Sequence, residues 1–176
     1  NLIHTKLKVD FNFEEKKMNG EAWITAKPHF YATDLFTLDA KSMLIHEVSL
    51  NGKEIEYDYD DYEITLKLPK KYSKEEEFTF YIKYTESPAQ VKEKGTEEIT
   101  SAKGLYFINA DGADKNKPTQ IWTQGETEGS SCWFPTIDAP NQKTTQEIYI
   151  TVPNKYVTLS NGALISQTKN AGNRTD

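Results

Sequence analysis

Alternation with period two limits what this chain folds into more than any other feature. In "IHTKLKVDFNF", Ile3, Leu7, Val9, Phe11 and Phe13 share one parity. His4, Lys6, Lys8, Asp10 and Asn12 share the other. Such alternation describes a strand with one face in a core and one in water. The same signature recurs in "GEAWITAK", "DLFTLDA", "LIHEVSL", "KEIEYDY", "YEITLKL", "EFTFYIKYT", "GLYFIN", "TQIWTQ", "QEIYITVP", "YVTLS" and "ALISQT". Turn residues separate these segments, and Asn-Gly at 19–20, 51–52 and 161–162 predicts tight hairpins there. Helical periodicity is nearly absent. One short helical turn is predicted in "DAPNQKT", with Asp138 as its cap and Pro140 in its first turn. Residues 86–103 and 109–117 lack any period and read as surface loops, and "KNAGNRTD" reads as a hairpin turn cut before its second strand. The fold class that follows is all-β: antiparallel, about a dozen strands, arranged as a sandwich or a pair of open sheets.

A length of 176 residues makes one domain over 1–176 the default and leaves two small ones possible. That length buries roughly 70% of the unfolded surface. Yet only 36% of residues are hydrophobic and mean hydropathy is −0.72, lean for a self-sufficient globule. A sheet with one wet face, or a domain that leans on a neighbour, fits that balance. Lys and Arg total 21 against 27 Asp and Glu, with no basic stripe, so nucleic acid is not an expected partner. No apolar run approaches the roughly 18 residues of a transmembrane segment. Cys132 is the single cysteine and leaves the compartment open. The start at Asn1, already strand-like by Ile3, reads as a trimmed N-terminus.

Chemistry has few places to reside. His4, His29 and His46 do not form the His-Glu-x-x-His metal pattern, and Cys132 has no histidine near it in sequence. His46 shares parity with Leu44, Val48 and Leu50 and reads as a satisfied histidine at the edge of a core. No catalytic residue and no metal ligand set is expected within these residues. The informative stretch is "IWTQGETEGSSCWFPTIDAP". There Trp122 and Trp133 bracket a polar patch containing Gln124, Gly125, Glu126 and Glu128. If "TQIWTQGE" runs extended, Gln124 and Glu126 face one side, roughly 6–7 Å apart. Their oxygens would suit a primary ammonium, which has three donors and no acceptor. A polar strand end before a turn fits the same residues. In "WFPTIDAP", Trp133, Phe134 and Pro135 read as turn anchors, with Asp138 tying the turn through side-chain to backbone bonds.

The ordered set Gln124-x-Glu126, Trp133-Phe134-Pro135, Asp138 before Pro140, Lys143-x-Thr145 and Ser160-Asn161-Gly162 resembles the N-terminal domain of the M1 zinc aminopeptidases. "LDAKSMLIHEVSLNG" and "GLYF" fit the same family. The family often has Ala-Arg where this chain has Ser131 and Cys132, and other residues at Thr136 and Ala139. The resemblance implies a saddle-shaped, mostly antiparallel β domain packed on a downstream catalytic domain, which would hold the zinc. It implies that Glu126 binds the α-amine of a peptide with a free N-terminus and that Gln124 lines the pocket for the first side chain. Trp122 and Trp133 would hold that edge rigid. A non-catalytic β-sandwich module that binds protein or carbohydrate is the alternative.

Overall fold

The computed structural model describes residues 1–88, 104–170 and 174–175. Its strands, in chain order, are β1 (Leu2–Asn12), β2 (Lys17–Ala26), β3 (Thr33–Asp39), β4 (Leu44–Leu50), β5 (Lys53–Glu54), β6 (Tyr57–Tyr59) and β7 (Glu63–Tyr72). After these come β8 (Phe78–Glu86), β9 (Leu105–Ile108), β10 (Gln120–Thr123), β11 (Thr145–Pro153), β12 (Lys169–Asn170) and β13 (Arg174–Thr175). An eight-stranded sheet runs β12-β13-β11-β1-β2-β8-β4-β5, a three-stranded sheet runs β3-β7-β6, and β9 pairs with β10. The fold is all-β. Among the described residues the only helical turn is a 3-10 turn at Ser130–Cys132.

The period-two pattern does the sorting. Leu7, Val9, Ala22, Ile24, Phe80 and Ile82 are buried on one face of the large sheet. Phe36 and Leu38 of β3 and Ile64 and Leu66 of β7 close the core from the other side. Phe36 joins the layers, with ring centroids 5.5 Å from both Phe78 and Phe80. Each large apolar side chain so enclosed contributes about 2 kcal/mol, before the entropy of ordering it.

Several expectations give way to local geometry. Asn19-Gly20 is not a turn; it lies inside β2, and the β1–β2 connection is the turn at 13–16. Glycine is needed at position 20 for packing, because an added Cβ would stand 2.2 Å from Cζ of Tyr84. Asn51-Gly52 does turn the chain between β4 and β5. Irregularities in register flip parity twice. One between Leu2 and His4 puts Leu2 rather than Ile3 in the core. Another between Ile45 and Glu47 leaves Leu44 60% exposed while Val48 and Leu50 stay buried. His46 is therefore outside the core, on the wet face, with Nε2 2.8 Å from Oγ1 of Thr85. "KEIEYDY" splits between two sheets, β5 joining β4 and β6 joining β7. β11 pairs with β1 in parallel, a departure from the antiparallel expectation.

"YVTLS" and "ALISQT" lie outside any strand. The tail does return, β12 pairing with β13. The helical turn expected in "DAPNQKT" is only a turn from Ala139 to Gln142, since the Asp138 carboxylate is used elsewhere. The loop at 109–117 is organised by Asn109, whose amide donates to the carbonyls of Asp114 and Lys117. Most of the loop expected at 86–103 lies outside the described residues, and Glu86 belongs to β8.

Candidate functional site

β9 and β10 bring Tyr106 opposite Trp122, and the two rings stack with centroids 4.7 Å apart. Phe107 holds this ribbon to the end of β1 through edge contacts with Phe11 and Phe13. β10 ends at Thr123, so the extended reading of "TQIWTQGE" stops short of its acids. The Gln124 amide makes the last link, to the Gly104 carbonyl at 2.8 Å. The chain then turns, closed by Gly129 N–H donating to the Gly125 carbonyl at 3.0 Å. The 3-10 turn follows immediately, and the Trp133 and Phe134 amides donate back to the Ser130 carbonyl. Lys41 Nζ donates to the Glu128 carbonyl at 2.8 Å.

Two glycines make this turn possible. Gly104 has φ +63°, and a Cβ there would lie 2.1 Å from the Gly129 carbonyl oxygen. A Cβ on Gly129 would lie 2.5 Å from the Gln124 carbonyl oxygen. Three backbone segments thus cross at distances closed to any other residue. The result is a compact turn that presents Gln124 half-buried and Glu126 exposed. Neither side chain makes a hydrogen bond or ion pair with another described residue. The spacing expected for strand neighbours does not apply, because Glu126 is in the turn.

The "WFP" segment sits against the core. Phe134 and Pro135 are buried, and half-buried Trp133 meets the Phe134 ring edge-on at 4.5 Å. Asp39 and Thr136 exchange both backbone hydrogen bonds. Asp138 accepts from the Ser131 amide at 2.8 Å, and its own amide donates to the Asp39 carboxylate at 2.8 Å. Tyr84 crosses the core to donate its hydroxyl to the Trp133 carbonyl at 3.0 Å. Trp122 differs from Trp133 in being 45% exposed, supported by Tyr106 rather than enclosed.

Asp39, Lys41, Tyr84 and Gly104 are supporting residues that the sequence reading did not single out. Gly104 and Gly129 had a visible signal, as glycines flanking strand and turn. Asp39 and Tyr84 had none, because their partners lie about 50 to 100 residues away in the chain. Among the described residues no group of three or more His, Cys, Asp or Glu is placed to hold a metal ion. No helix there is long and apolar enough to cross a membrane.

Comparison with known proteins adds the family. The sequence profile of the peptidase M1 N-terminal domain matches residues 2–176. Among solved structures, the M1 zinc metallopeptidase from Deinococcus radiodurans superposes with a TM-score of 0.80 at 17% identity, over 99% of this chain and 37% of that one. Legionella pneumophila aminopeptidase A, in complex with aspartic acid, gives 0.73 at 18%, over 99% and 19%. Yeast LTA4 hydrolase, in complex with bestatin, gives 0.70 at 19%, over 99% and 25%. The chain therefore spans well under half the length of these proteins. The structural likeness supports the fold and the profile supplies the relationship: this chain belongs to the peptidase M1 N-terminal domain family.

Proposed function

We propose that this chain is the substrate-anchoring domain of a zinc aminopeptidase that removes N-terminal residues from peptides. The observation that supports this most directly is Glu126, an exposed carboxylate with no partner among the described residues, on a turn locked by Gly104 and Gly129. A rigid, unneutralised carboxylate suits the ammonium of a free peptide N-terminus, which offers three donors and a full charge. Gln124, half-buried beside it, would line the pocket for the first side chain. Hydrolysis itself belongs to zinc held by a downstream catalytic domain. This chain's residues bind and orient the substrate.

In a closed cleft at an effective dielectric near 20, a carboxylate and an ammonium about 3 Å apart attract by on the order of 5 kcal/mol. Desolvation takes back part of this, leaving about 2–4 kcal/mol. Glu126→Gln keeps the shape and removes the charge. In the full-length enzyme it should lower kcat/KM by roughly 30- to 1000-fold. Gln124→Ala removes a neutral group worth about 1 kcal/mol and should cost less. N-acetylated peptides should be poor substrates for the wild type. Steady-state kinetics on free and acetylated peptides test all three. A Glu126→Gln rate within about twofold of wild type on free peptides would make Glu126 a structural residue.

A further inference from the structure

The β9–β10 ribbon has two unlike faces. Leu105 is buried, and Phe107 and Ile121 pack against the core, so one parity of the ribbon faces inward. Tyr106 and Trp122 have the other parity and stand opposite each other. Their rings stack with centroids 4.7 Å apart and planes inclined by 18°. Trp122 is nonetheless 45% exposed. An indole that served only to anchor the ribbon would gain most by being enclosed. The stack instead turns a broad, flat aromatic surface outward.

Register ties this surface to the turn that carries Glu126. Gln120 pairs with Ile108 and Trp122 with Tyr106. The Gln124 amide, donating to the Gly104 carbonyl at 2.8 Å, carries the same register one step further. Gln124 therefore follows Trp122 on the same face, roughly 6–7 Å along the strand. Gly104, opposite Gln124, adds no side chain to that face. Read from the turn backwards, the order is the Glu126 carboxylate, then the Gln124 amide, then the aromatic stack. A charged group, a neutral polar group and a flat apolar surface thus follow one another along a few residues of chain.

We infer, on the reading that Glu126 holds the amine and Gln124 lines the first pocket, that the Tyr106–Trp122 stack is the far wall of that pocket. The substrates it selects are peptides whose first residue is aromatic. With the ammonium fixed at Glu126 and the first side chain passing Gln124, the next surface on the same face is the indole of Trp122. An alanine methyl stops short of it. A phenyl or phenol ring reaches it and stacks offset on a partner already held flat by Tyr106. Because Tyr106 fixes the indole before substrate arrives, little ordering is left to oppose binding. Trp122 is then a specificity residue, and its exposure is what that role needs.

Steady-state kinetics of the full-length enzyme on phenylalanyl- and alanyl-p-nitroanilide test it. The quantity read is the ratio of the two kcat/KM values. The wild type should favour the phenylalanyl substrate, and Trp122→Ala should lower the ratio by about 10-fold. Trp122→Phe keeps a smaller ring and should lower it less. Glu126→Gln should reduce both kcat/KM values by a common factor and leave the ratio in place, so the two readings fail separately. Glu126→Gln without effect removes the amine site and the aromatic wall with it. A strong Glu126→Gln effect, with a ratio that Trp122→Ala does not move, overturns the aromatic wall alone. If Trp122→Ala does not fold, Trp122→Phe and a crystal structure of the wild type with L-phenylalanine decide. The ligand ring should lie against the Trp122 indole. A ring bound elsewhere, or another segment of the protein lying across the stack, overturns the assignment.

Discussion

Glu86 at the end of β8 is fully buried, and neither of its carboxylate oxygens has a hydrogen-bond partner among the described residues. Burial pushes its pKa up to about 9, the nearby Ser87 amide pulling only weakly the other way. An isolated charge in an apolar interior is expensive, so the group stays protonated instead. The unfolded chain releases this proton near pH 4.5 and the folded chain near pH 9. Between these values the folded state binds the extra proton, so the contribution of Glu86 to stability is greatest below pH 4.5 and falls as pH rises. The slope is about 1.4 kcal/mol per pH unit, or about 3 kcal/mol by pH 7. Glu86→Gln mimics the protonated acid and removes the titration. Thermal unfolding of both proteins between pH 5 and pH 9 should show the variant gaining on the wild type as pH rises. Parallel curves would mean that Glu86 is ionised in the folded chain and has a partner.

At the scale of elements, Asn19-Gly20 shows what a sequence leaves hidden. The dipeptide carries the same hairpin signal as Asn51-Gly52, yet only the latter turns the chain. The difference lies in Tyr84, 64 positions on, whose ring occupies the space above Gly20 and whose hydroxyl reaches the Trp133 carbonyl. Gly20→Ala should force that ring aside and cost about 2 kcal/mol or more, by overpacking together with loss of the hydrogen bond. Tyr84→Phe removes only the bond and should cost about 1 kcal/mol. Urea unfolding of the two variants separates these effects, and equal costs would show that the ring makes room easily. Alternation located the strands well because it reports burial directly. It missed the parity flips at Leu2 and at Ile45–Glu47, where one inserted residue reverses which side faces the core. The residues of the candidate site were legible as a motif. Their geometry was not, because the turn at 125–129 depends on Gly104, which lies outside it in sequence, before β9.

At the scale of the molecule, the lean core and the exposed candidate site point the same way. In this chain Glu126 lies in water, where a carboxylate and an ammonium about 3 Å apart attract by only about 1 kcal/mol. The same pair at an effective dielectric near 20 attracts about four times as strongly. If Glu126 binds an amine as proposed, the low dielectric has to come from walls that the described residues do not build around it. Under the proposed function, binding strength at Glu126 is then a property of the assembled protein rather than of the turn. The 176-residue chain alone should bind an unblocked dipeptide amide without saturating below about 10 mM, since 1 kcal/mol lies far short of the roughly 4 kcal/mol of a millimolar complex. It should also fail to hydrolyse an aminoacyl-p-nitroanilide. Chemical-shift titration of Glu126 and a chromogenic assay with and without chelator measure the two properties. Micromolar binding centred on Glu126 would show that the amine site is complete in this chain. Turnover lost on chelation would show that the chain holds its own metal, and that the catalytic centre was placed in the wrong part of the protein.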